Sequence, residues 1–191
     1  MDAKRQLRTD LRARRRDYVA TLPASTRALV FHRPPRPVAE LLPEGSIVGV
    51  YYPTTDEASP LSYARWLHEH GRQVALPWFA TRDAAMTFRL WNDPFDIESL
   101  ETGPFGIQQP PQTAEETVPD AMIVPLLGFT AQGERLGQGG GHYDRWLAAN
   151  SGTLTLGLGW DCQLVEALPR ESHDICLRAV ITPTRIYEGD A

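Results

Sequence analysis

The chain has 191 residues, 42% hydrophobic and 23% charged, with a net charge of −5. This is the balance of one globular domain with a sizeable core, and it speaks against a membrane span or a general nucleic-acid binder. Two cysteines, Cys162 and Cys176, lack CxxC spacing and read as free thiols. With charged first residues and no apolar stretch after them, a secretory signal is not expected and the cytoplasm is.

Residues 2–20 read as an amphipathic helix. Ala3, Leu7, Leu11 and Tyr18 fall on one side, and Lys4, Arg8, Arg12 and Arg15 line another. Residues 1–16 hold seven cations against two acids, a local net of +5, which fits a local anion site or a solvated helix. Lys4 is the one lysine among 19 basic residues. Either its compact ammonium is needed on phosphate, or the composition simply favours arginine.

A second helix is expected from Ser25, before Pro34, Pro35 and Pro37. The β-branched run at 47–52, ended by Pro53, reads as a buried strand, and 54–60 as a loop. Residues 61–70 read as a helix with Gly71 in the C-cap position. Strands are predicted at 73–76, ended by Pro77, and at 86–91. Residues 92–120, rich in proline, acid and glycine, read as a long surface excursion. Then come a strand at 121–127, a glycine-rich loop, a helix at 143–150 and a strand at 153–158. A helical turn at 162–167 and a last strand at 179–182 complete the pattern. The alternation predicts a single α/β domain over 1–191, three layers with a mainly parallel sheet flanked by helices.

The loop and its flanks read Arg135-Leu-Gly-Gln-Gly-Gly-Gly-His-Tyr-Asp-Arg145. A glycine loop between a strand and a helix exposes backbone amides at a helix N-terminus, an anion site. Arg135 can add a charged fork for phosphate, and Asp144 can hold a metal that bridges phosphate oxygens. The run lacks the GxxxxGK[ST] pattern, and His142 stands where a dinucleotide fingerprint needs its last glycine. On glycine spacing alone, a tight strand-to-helix turn is the better explanation.

The complete string resembles the signature of the 5-formyltetrahydrofolate cyclo-ligase family, also called methenyltetrahydrofolate synthetases. Other landmarks agree in order. Lys4-Arg-Gln-Leu-Arg8 is similar to the family's N-terminal motif, and Tyr52-Pro with Glu57 to its strand-end motif. Leu76-Pro77, Met86-Thr-Phe88 and Gly103-Pro-Phe-Gly-Ile107 with Pro110 match the middle of the chain. Gly157-Leu-Gly, Gln163, Pro169 and His173-Asp174 match its end.

The resemblance implies that 5-formyltetrahydrofolate and ATP are converted to 5,10-methenyltetrahydrofolate, ADP and phosphate with Mg2+. It implies Lys4 and Arg135 as catalytic residues. ATP would be bound by Lys4, Arg5, Gln6, Leu7 and Arg8 and by Arg135, Leu136, Gly137, Gln138, Gly139, Gly140, Gly141, His142 and Tyr143. Tyr52, Glu57 and Phe105 would contact folate, together with Gln138, Gly139, Gly140, Gly141 and His142. Asp144 and Asp174 would hold magnesium. A monomer without nucleic-acid or membrane partners is expected.

Singly, each residue has a plainer explanation: surface charge for Lys4, Arg8 and Asp174, a loop carboxylate for Glu57, core for Tyr52 and Phe105, a helix cap for Asp144. Four positions depart from the family pattern: Thr130, Gln138, His142 and Arg178. Gln138 removes a charge near the phosphates, and His142 puts a titratable ring at the folate. A non-catalytic or substrate-shifted paralogue, and more distantly a nucleic-acid module using the basic helix, stay open as alternatives.

Overall fold

The computed structural model describes residues 3–169 and 175–190. Helix α1 (Ala3–Thr21) opens the chain, and short helices α2 (Ala24–Leu29) and α3 (Arg36–Ala39) lead to strand β1 (Ile47–Gly49). Then come α4 (Leu61–Glu69), β2 (Gln73–Trp78), β3 (Thr87–Leu90), β4 (Glu101–Thr102), β5 (Gln108–Gln109) and β6 (Glu116–Thr117). They are followed by β7 (Ala121–Pro125), β8 (Gly128–Phe129), β9 (Arg135–Leu136) and α5 (His142–Ala149). Strands β10 (Leu154–Leu158), β11 (Ala179–Ile181) and β12 (Ile186–Glu188) end the fold.

Eight strands form the central sheet in the order β12-β11-β10-β7-β1-β2-β3-β6. The run from β11 to β2 is parallel, and β12, β3 and β6 add antiparallel edges. Strand alternation sorts the core onto two faces. Ala121, Ile123, Leu156 and Leu158 join the side chains of α1 and α4 on one face. Met122, Val124 and Val180 join Trp146 and Leu147 of α5 on the other. The expected three-layer α/β architecture is therefore present.

Two crossovers set the site. The chain runs from β1 through α4 to β2, and from β7 through α5 to β10, in opposite directions from the neighbouring pair β1 and β7. In such sheets a crevice opens at the carboxyl ends of the strands where the order reverses.

Several elements differ from the expectation. β1 stops at Gly49, although Val50 N still donates to Ala75 O of β2 at 2.9 Å, and Tyr51 and Tyr52 line the crevice. Pro77 does not end β2; it lies within it, opposite Phe88 of the antiparallel β3. The excursion is not purely loop, since it contains the β4–β5 hairpin and the edge strand β6. The helical turn after β10 is a single 3-10 turn, Asp161–Gln163. The glycine loop does not follow β7 directly, because the ribbon β8–β9 intervenes. Buried Thr130 closes that ribbon, its backbone N–H donating to Glu134 O at 3.0 Å and its Oγ1 accepting from Glu134 N at 3.3 Å.

Candidate active site

The crevice is a cleft of about 740 Å3. One wall is cationic. Leu11, with Leu7 beside it, packs on Leu127 and Leu136, and this turns the stripe Lys4, Arg8, Arg12 and Arg15 of α1 toward the glycine loop. Lys4 and Arg15 are buried at 9% and 6% exposure, which charged side chains tolerate only where partners or ligands compensate. Arg8 Nε donates to Gly137 O at 3.2 Å, and Arg12 Nη2 to Gln138 O at 2.8 Å. Arg145 Nη2 donates to Gly140 O at 2.9 Å. The arginines thus occupy loop carbonyls, while the first N–H groups of α5 have no intrahelical acceptor and suit an anion. Gly141 caps α5 with φ +64°, in the left-handed region where a side chain is strained.

At the cleft's base Arg135 Nη2 meets Asp144 Oδ1 at 2.5 Å, and Arg135 Nη1 donates to Ile175 O at 2.9 Å. Asp144 is thus partnered rather than a helix cap, and its carboxylate still lines the cleft. Among the described residues no group of three or more His, Cys, Asp or Glu side chains could hold a metal. One or two carboxylates plus phosphate oxygens are, however, what magnesium commonly uses, so Asp144 fits that role. Beside it, burial and then the Glu57 charge push the Tyr143 hydroxyl far above its usual range, keeping it a neutral donor.

Glu57 is a hub. Its Oε2 accepts from Thr54 N at 2.8 Å and its Oε1 from Gln138 Nε2 at 2.9 Å. Arg15 Nη1 lies 3.6 Å from Oε1, with both side chains under 10% exposed. The turn carrying Glu57 is pinned by the Tyr51 hydroxyl donating to Ala58 O and by Trp160 Nε1 donating to Asp56 O at 3.0 Å.

The opposite wall is aromatic. Phe79, just past β2, Phe105, between β4 and β5, and His142 meet edge to face, with centroids 4.9, 5.0 and 5.4 Å apart. Gln109 holds the Phe79 backbone by two hydrogen bonds of 3.2 Å. Burial, then the Arg145 charge, lowers the His142 pKa below 6.5.

The cleft brings together Lys4, Arg8, Tyr52, Glu57, Phe105 and Asp144 with Arg135, Leu136, Gly137, Gln138, Gly139, Gly140, Gly141, His142 and Tyr143. It does not gather three of the expected ATP residues. Arg5 and Gln6 are exposed, Gln6 bonding Asp10 at 2.9 Å, and Leu7 packs in the small apolar cluster. Asp174 and His173 lie outside the described residues. Arg178 bonds through its backbone to Thr155 beside β10. Sequence reasoning assigned no site role to Arg12, Arg15, Phe79 or Gln109. The first two share the helical period of Lys4 and Arg8 and were findable from it; the others had no local signal.

The structure is an open α/β sheet with a basic, glycine-lined crevice at its switch point, where such folds place their ligands. The chain belongs to the 5-formyltetrahydrofolate cyclo-ligase family, whose model matches residues 1–183. It is 31% identical over 146 residues to the 5-formyltetrahydrofolate cyclo-ligase of Mycolicibacterium smegmatis, covering 74% of this chain and 75% of that one. It is 43% identical over 88 residues to the Escherichia coli K12 5-formyltetrahydrofolate cyclo-ligase, covering 43% of this chain and 48% of the relative, about half its length. Its fold is similar to the NMR structure of the Aquifex aeolicus 5,10-methenyltetrahydrofolate synthetase, with TM-score 0.75, 24% identity, and coverage of 98% of this chain and 93% of that one.

Proposed function

We propose that this chain cyclises 5-formyltetrahydrofolate to 5,10-methenyltetrahydrofolate at the expense of ATP, releasing ADP and phosphate. The observation that carries the reading is one cleft with two unlike walls, a cationic glycine-lined one and an aromatic one, which meet at His142. Such a site suits a polyanion and a flat heterocycle held side by side.

The N-formyl group is an amide, so its oxygen is a poor leaving group. Transfer of the γ-phosphoryl group to that oxygen makes it a good one. The second folate nitrogen then attacks the formyl carbon, the carbon–oxygen bond breaks, phosphate departs with that oxygen, and the nitrogen's proton passes to the phosphate or to water. Lys4, Arg8 and the loop amides hold the triphosphate, and Arg135 offsets charge on the transferred group. The neutral Tyr143 hydroxyl donates without adding charge. Phe79, Phe105 and His142 pack on the folate rings and exclude water. Asp144, with Asp174 as a second carboxylate, would hold a magnesium ion that neutralises phosphate charge.

The proposal includes a cytoplasmic monomer without nucleic-acid partners. Both cysteines are free, and no helix of the described residues is long and apolar enough to cross a membrane.

Purified protein incubated with 5-formyltetrahydrofolate, ATP and magnesium should develop the methenyl chromophore, with one ADP and one phosphate per product. Folded protein that yields no methenyl product sinks the assignment.

A further inference from the structure

Arg15 is 6% exposed, yet its Nε and Nη1 have no hydrogen-bond partner among the described residues. Buried guanidinium donors are costly to leave unmade. Arg15 lines the cleft, and its Nη1 stands 3.6 Å from Glu57 Oε1, within ion-pair range but without a hydrogen bond. Glu57 gives one acceptor site to Thr54 and one to Gln138, so each carboxylate oxygen keeps a further lone pair.

The pair therefore leaves acceptors and buried donors unsatisfied side by side at the cleft wall, close to neutral in sum. A triphosphate brought here would meet the Glu57 charge at once, whereas Lys4 and Arg8 lie toward the glycine loop. An uncharged ring edge that alternates donors with an acceptor matches the pair. A pterin has such an edge: the 2-amino group and N3–H donate, and the 4-oxo oxygen accepts.

We propose that Arg15 is a specificity-determining residue, donating Nε–H and Nη1–H to the pterin 4-oxo oxygen while Glu57 takes the 2-amino and N3 hydrogens. This rests on the folate reading above and adds to it the atom that Arg15 selects.

The test compares dissociation constants for 5-formyltetrahydrofolate and its 4-amino counterpart, in which the 4-oxo acceptor becomes an amino donor and N3 loses its hydrogen. Wild-type protein should prefer the 4-oxo compound by roughly tenfold or more, the scale of a lost hydrogen bond to a charged group. In Arg15→Met and Arg15→Lys the preference should fall at least severalfold, chiefly through weaker 4-oxo binding, and what remains reflects Glu57, which loses the N3 hydrogen in the 4-amino compound. A merely structural role would weaken both ligands alike and leave the ratio unchanged, which overturns the proposal. Wild-type protein that binds both equally overturns it without any variant. Wild-type protein that binds neither overturns the folate reading itself, a distinct result.

Discussion

The two walls of the cleft are built by opposite means. The cationic wall comes from one helix face and one contiguous loop, and arginines bond it to backbone carbonyls at Gly137, Gln138 and Gly140. The aromatic wall gathers Phe79, Phe105 and His142 from three separate segments through ring edges. Phe105, 40% exposed, rides on a hairpin whose strands are two residues each. The first wall is preorganised by directional bonds; the second depends on weak, adaptable contacts. Damage to the cationic wall should therefore appear in turnover, and damage to the aromatic wall in folate KM.

Arg135→Met is the severest break of that division. On the proposed reading it removes the charge that offsets the transferred phosphoryl group, and it leaves Asp144 without its partner. Turnover should fall about 10²–10³-fold. Urea unfolding should show a loss of about 2 kcal/mol, below the full cost of breaking a buried pair because Asp144 keeps 27% exposure. A rise in folate KM alone would end the two-wall description.

Lys4→Arg keeps the charge but trades a point donor for a planar fork. ATP use should weaken by about tenfold, the order of one phosphate contact, with the melting temperature unchanged. Unaltered kinetics would mean that the lone lysine is incidental. Phe105→Ala should act on the other substrate. Losing edge-to-face contacts worth about 0.5–1.5 kcal/mol raises folate KM by about two- to tenfold and leaves ATP KM as it was. Equal effects on both substrates would show that the walls are not separable.

The same contrast governs what could be read from the chain. Helix periodicity put Lys4, Arg8, Arg12 and Arg15 on one face, and the glycine string announced an anion loop. The parallel core was legible from its β-branched runs. Of the aromatic wall, Phe105 and His142 were named by the family resemblance alone and Phe79 was missed, because the three are distant in sequence and only tertiary packing makes them neighbours. Pro77 misled for a related reason. Proline was read as a strand terminator, but at an antiparallel position opposite Phe88 it sits within β2. The β8–β9 ribbon escaped because two-residue strands leave no period to detect.

The smallest effect concerns His142, where the walls touch through Arg145 Nη2, 3.2 Å from Nδ1. Burial first and the Arg145 charge second lower its pKa from 6.5, so at pH 7 the ring is neutral against Phe79 and Phe105. The unfolded chain then binds the proton more readily than the folded one. Stability from His142 is accordingly complete above pH 6.5 and declines as pH falls through the lowered folded value. NMR titration should place the His142 midpoint below 6.5, and Arg145→Gln should raise it without passing 6.5, because burial, the larger cause, remains. Folate KM should climb over the same acidic window as a charged ring enters the aromatic wall. His142→Phe should abolish that climb while leaving KM at pH 8 nearly unchanged. A climb that persists in His142→Phe would assign the titration to another group and detach His142 from the folate wall.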